Sequence, residues 1–184
     1  ATAPGETPER GGEGNREGFF GGNAPGTDPI DFAEGYGIKL SEGSTVTFAM
    51  HYHKEPGPGT GVYDNSSIGM VFQEQEVDHP VAIYPIEHGA FEIPPQNANW
   101  RVGGVKVYDV DTYLLGMTPH THLRGSKATY KAFYPDGTTE TLLEVDKYDF
   151  NWQTSYKYKE AKVIPAGTRI EMELYYDNSE TNAK

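Results

Sequence analysis

From about residue 37 onward the chain alternates apolar and polar positions with a period of two, and no ten-residue window carries an apolar stripe of helical spacing. Residues 45–53 show this plainly. Val46, Phe48, Met50 and Tyr52 share one face, and Thr45, Thr47, Ala49, His51 and His53 share the other. Residues 67–72 place Ile68, Met70 and Phe72 inward, and residues 168–176 set Ile170, Met172 and Leu174 against Arg169, Glu171 and Glu173. Further strands are predicted over 37–40, 80–86, 101–108, 110–123, 126–134, 138–145 and 148–158. Turn chemistry separates them. Gly43 supplies a positive φ in the turn 41–44, Pro135-Asp136-Gly137 reads as a hairpin, and Pro165-Ala166-Gly167 as another turn. The repeated Pro-Gly of 54–61 cannot continue a ladder. Short strands spaced by turns about every ten residues predict an all-β fold, an antiparallel β-sandwich or jelly roll.

Residues 1–29 break the pattern. They are rich in Gly, Pro and charge, show no period, and are expected to form an arm or linker. Ile93-Pro94-Pro95 interrupts pairing again and is the expected boundary between two domains.

Charge and composition narrow the function. The formal net charge of −12 argues against nucleic acid or an anionic membrane surface, because phosphate binding needs clustered Lys and Arg. The absence of cysteine excludes disulfides, thiolate zinc sites and iron–sulfur clusters within the chain. No apolar run is long enough for a membrane span.

Four of the six histidines occur as two His-x-His pairs, His51 with His53 and His120 with His122. On a strand, positions i and i+2 point to the same side. Residues 114–125 therefore present the imidazoles of His120 and His122 together, with Met117, Thr121 and Leu123 facing the other way. Two imidazoles on a stiff backbone make a chelate for copper or zinc. The plain alternative is a pair of solvated histidines on a sheet face. Zinc hydrolysis is a weaker reading, since no third close ligand or general base stands at a recognisable spacing.

Longer stretches bear a resemblance. Thr47-Phe-Ala-Met-His51-Tyr52, Phe91-Glu-Ile-Pro-Pro95 and Pro119-His-Thr-His-Leu-Arg-Gly125 come first. Tyr134-Pro-Asp-Gly137, Tyr148-Asp-Phe-Asn-Trp-Gln153, Pro165-Ala-Gly-Thr168 and Tyr176-Asp-Asn-Ser179 follow in order. Over roughly residues 24–179 the chain resembles the copper type II ascorbate-dependent monooxygenases, the family of peptidylglycine α-hydroxylating and dopamine β-monooxygenases, and especially its bacterial members. The resemblance implies two tandem β-sandwiches, a copper ion in each, ascorbate or another reductant, and a small-molecule substrate hydroxylated in the cleft between them. It implies His51 as a ligand of the first, electron-supplying copper. It implies His120 and His122 as ligands of the second, where oxygen is activated. His53 is expected to be solvated or to support the site without ligating. A periplasmic or extracellular location is expected with this family.

The chain also departs from the family pattern. No His-His pair precedes Asp31 to complete the first site, and the chain reaches Lys184 without the Asp-Glu-Met motif that supplies the Met ligand of the second. Met172 reads as core, and Met117 as lying on the strand face opposite His120. The expected organisation is thus an arm at 1–29, a partial first sandwich at 30–93, and a second sandwich at 94–184 lacking its last strand. Another subunit or further chain would complete it. The arginine with which the peptide-amidating enzymes grip a carboxylate is replaced by Thr118, so peptide amidation is not expected.

These readings favour a copper-dependent monooxygenase whose full site needs residues outside this chain. The alternative is a non-catalytic β-sandwich that binds or builds an extracellular assembly. Trp152 is expected to pack in the core, His79 and His88 to be solvated, and Asp109 and Asp111 to face solvent rather than hold calcium.

Overall fold

The computed structural model describes residues 19–52, 56–61 and 63–182. Among these there is no helix, and the strands follow the period-two pattern. The chain forms two compact units, residues 31–82 and residues 1–30 together with 83–184.

In the first unit β1 (Tyr36–Gly37) pairs in parallel with β2 (His79–Pro80). The Tyr36 and His79 rings lie 4.7 Å apart. Beyond Gly37 in β1 and Pro80 in β2, the strands expected over 37–40, 45–53, 67–72 and 80–86 do not form among the described residues. Alternation assigns faces but not partners, and without a partner an extended segment has no ladder to join. Phe48, Met50, Ile68 and Phe72 accordingly stay exposed. His53 lies outside the described residues.

The second unit is an antiparallel sandwich. Strands β3 (Trp100–Val107), β5 (Gly125–Phe133), β6 (Thr139–Val145) and β8 (Arg169–Tyr176) make one sheet in the order β3-β8-β5-β6. Strands β4 (Thr112–Met117) and β7 (Tyr156–Ile164) make the other. The predicted stripe of β8 faces inward: Ile170, Met172, Leu174 and Tyr176 are buried with Val102, Ala128, Tyr130, Ala132, Leu142 and Ile164. Leu114 and Met117 of β4 pack onto this cluster, so both sheets share one core. Gly137 has a φ of 87° in the β5–β6 hairpin, the conformation that Pro135-Asp136-Gly137 calls for.

Side chains also tie the sheets together. Tyr158 on β7 donates to the Leu142 carbonyl on β6 (2.9 Å), and Lys162 on β7 pairs with Glu140 on β6 (2.7 Å). Asp111 accepts a bond from the Ala166 amide (2.8 Å) and so closes a turn.

Two predicted strands are shorter than expected, and both changes fall at the histidine loop. The strand predicted over 110–123 ends at Met117. The strand predicted over 148–158 begins only at Tyr156. The residues between, 118–124 and 146–155, are irregular and face the same end of the sandwich.

Candidate metal centre

The ladder stops at Met117 for two reasons visible in the sequence. Pro119 has no N–H to give, and Gly116 sits at a register shift where an added Cβ would stand 2.6 Å from the Tyr156 carbonyl oxygen. The chain nevertheless stays extended, because Thr118 precedes a proline. Burial therefore still alternates. Pro119 and Thr121 are buried while His120 and His122 are exposed. The imidazoles are brought together, with ring centroids 5.3 Å apart and planes at 81°. They project from a loop rather than from a strand. Leu123, expected on the buried side, is 52% exposed because the chain turns there, with Gly125 N–H donating to the His122 carbonyl (2.8 Å).

A loop without a ladder must satisfy its buried backbone groups elsewhere. Tyr148 does this. Its hydroxyl accepts from the Thr121 amide (3.1 Å) and donates to the Thr121 carbonyl (3.0 Å). Tyr148 is itself buried beside Tyr130 and Tyr176, and burial pushes the Tyr176 phenol up to about 12. At Gly125 a Cβ would overlap the Thr121 hydroxyl, so only glycine lets the turn close on Thr121. The result is a two-histidine loop braced at the residue between its histidines.

Gln153 sets the orientation of the first ring. Its side-chain Nε2 donates to the Phe150 carbonyl (2.8 Å), which leaves Oε1 as the atom facing His120. Nδ1 of His120 must then donate to that oxygen, at 2.5 Å. The proton is held on Nδ1 and the Nε2 lone pair is free to ligate, the arrangement by which a supporting group fixes a metal-binding tautomer. His122 is flanked edge-on by Phe150, with centroids 6.3 Å apart. A cavity of about 40 Å³ lined by Pro119, Tyr148, Trp152, Gln153 and Tyr156 adjoins the loop and is large enough to hold water.

The donor set suits copper: two exposed imidazoles, one with a fixed tautomer, on a braced loop. It is a partial set. Among the described residues, no three of His, Cys, Asp or Glu come together around a metal position. The methionines of this unit are engaged otherwise. Met172 is buried in the core, and Met117 takes a 4.0 Å contact from the Tyr158 hydroxyl. His51 belongs to the other unit, where it lies exposed on an extended segment next to Tyr52, whose hydroxyl donates to Asp64 (2.7 Å). Thr118 contacts Ser155 Oγ (2.8 Å), and Arg124 donates to the Asn182 carbonyl (3.1 Å).

Other residues differ from expectation. Trp152 is 67% exposed, while its neighbour Gln153 is buried. Both ring nitrogens of His88 face carbonyls, those of Gly103 (3.0 Å) and Ala90 (3.2 Å). Tyr148 and Gly125, which brace the loop, stood within quoted motifs but carried no sequence signal of that role. Their effect depends on tertiary contact with Thr121.

Comparison with known proteins agrees with this region. The model of the copper type II ascorbate-dependent monooxygenase C-terminal domain matches residues 82–184, more than half of the chain. No curated protein matches.

Proposed function

The chain belongs to the copper type II ascorbate-dependent monooxygenase family, and from that premise we propose that His120 and His122 supply two ligands of a copper at which a C–H bond of a small substrate is hydroxylated, the full site needing residues outside this chain. The observation that supports this most is the pairing of two exposed imidazoles 5.3 Å apart on a loop braced through Thr121, with His120 presented through Nε2. Overall, substrate C–H, dioxygen, two electrons and two protons give C–OH and water, with ascorbate or an equivalent reductant as the electron source. Copper, when bound, supplies the one-electron redox chemistry that ground-state dioxygen requires.

The chain's own residues supply position. Tyr148 holds the Thr121 backbone, so His120 and His122 keep their spacing during turnover. Gln153 keeps the proton on Nδ1 of His120. The solvent-exposed side of both rings leaves room for a third ligand and for substrate. His51, in the other unit, would serve a second copper that relays electrons. A periplasmic or extracellular location is part of the same proposal and rests on the family resemblance alone. Thr118, a neutral side chain beside the site, disfavours a carboxylate-gripping mode and points to a substrate without a recognition carboxylate at that position.

The test is incubation of the copper-loaded chain with ascorbate, oxygen-18-labelled dioxygen and a panel of small aromatic and aliphatic substrates. The expected result is a product carrying a single labelled oxygen atom. Oxygen consumption that never labels a substrate would contradict the hydroxylase reading.

A second reading is a non-catalytic subunit of an assembly. The exposed apolar side chains Phe48, Met50, Ile68 and Phe72 favour it, since they call for a covering partner. A native mass spectrum showing a stable, metal-free oligomer would support that reading.

A further inference from the structure

We propose that the turn at residues 24–27, outside the region shared with the family domain, is a positioning element for His120 that acts through Gln153. The inference rests on the reading of His120 as a metal ligand, but its structural part stands on contacts within one unit.

Gln153 lies in the irregular segment before β7 and is 3% exposed, so its backbone groups have neither a ladder nor water. The arm supplies both partners. Gln153 N–H donates to the Pro25 carbonyl (2.8 Å), and the Thr27 hydroxyl donates to the Gln153 carbonyl (3.3 Å). The side chain meanwhile spans Phe150 and His120. All four polar groups of Gln153 are thus committed, two of them to the arm and one to the imidazole.

The turn is built to reach this residue. Thr27 N–H donates to the Ala24 carbonyl (2.9 Å), and Ala24 N–H donates to the Thr27 hydroxyl (2.9 Å). Gly26 between them has a φ of 81°, which favours glycine. A Cβ there would stand 2.7 Å from Trp152 Cα and 3.1 Å from Gln153 N. The turn therefore rests its bare backbone on Trp152 and Gln153. A side chain at Gly26 forces the turn and the Trp152–Gln153 peptide apart. The His120–Gln153 bond depends on where and at what angle that peptide holds the Gln153 side chain, and a reorientation that takes Oε1 out of line with the Nδ1–H weakens it. A segment that composition marks as a linker becomes a support for the metal-binding tautomer.

The test is nitrogen-15 NMR of the histidine side chains in the metal-free full chain, at a mildly alkaline pH where imidazoles are neutral, followed by copper(II) titration. In the unaltered chain His120 is expected as the Nδ1–H tautomer. Gly26→Ala is expected to convert it to a mixture with the Nε2–H form, and to weaken copper binding about tenfold or more. Thr27→Val, which exchanges the hydroxyl for a methyl group of similar size, is expected to shift the tautomer in the same direction and serves if Gly26→Ala fails to fold. Thr27→Ser is expected to restore it. An unchanged His120 tautomer in a folded Gly26→Ala or Thr27→Val chain overturns the proposal. A tautomer that responds to Gly26 in a chain that binds no copper upholds the positioning role and removes the copper reading alone.

Discussion

The Tyr148 hydroxyl bonds both the amide and the carbonyl of Thr121, the residue between the two exposed histidines. A single phenol thus replaces the strand ladder that stops at Met117. Removing it in Tyr148→Phe leaves a buried N–H and a buried C=O without a partner. The expected cost is about 2–4 kcal/mol in urea unfolding. Copper affinity is expected to fall about tenfold, because the His120–His122 spacing loses its brace. A variant with unaltered stability and affinity would show that Tyr148 only fills space.

Gly125 closes the turn against Thr121, and its backbone needs no positive φ. The prediction for Gly125→Ala is therefore steric: the methyl group meets the Thr121 side chain and the His122 carbonyl oxygen, 3.1 Å away. Overpacking of this kind costs about 1–3 kcal/mol. A fall in Tm is expected, together with broadened His120 and His122 resonances. Gly61, with open space around it, is the control at which alanine is expected to be neutral.

Glu140 gives the pH prediction. Lys162 and then the Tyr134 hydroxyl hold its carboxyl below the ordinary 4.5. The folded-state value is the lower one, so this contribution is complete above about pH 4.5 and is lost as pH falls through the folded value. The pair is partly solvent-exposed, which limits the effect to below about 1 kcal/mol. Lys162→Met is expected to flatten the acid limb of stability against pH by that amount and to leave stability unchanged once the pH is well below the folded-state value. Equal slopes in both proteins would remove the pair from the account.

The sandwich was legible where alternation coincides with turn chemistry. Ile170, Met172 and Leu174 face the core, and Gly137 takes the positive φ its hairpin demands. The projection of His120 and His122 to one side was legible too, although the element was not. Pro119 was present in the sequence as the reason a ladder could not continue, and the strand prediction over 110–123 ran through it. The exposure of Trp152 was hidden, because Gly26 covers its backbone while its ring faces outward, and nothing local encodes a contact across more than a hundred residues. The strand expected at 45–53 failed for a related reason. Val46, Phe48 and Met50 alternate correctly, but pattern alone does not supply a neighbouring strand.

The central claim is that His120 and His122 ligate copper. Copper(II) electron paramagnetic resonance of the loaded chain, read beside metal analysis, tests it most directly. The account predicts imidazole nitrogen couplings in the unaltered chain. In a His120→Ala, His122→Ala double variant that keeps the fold, it predicts loss of that signal and of one copper equivalent. The same spectrum and the same copper content in both proteins would contradict it.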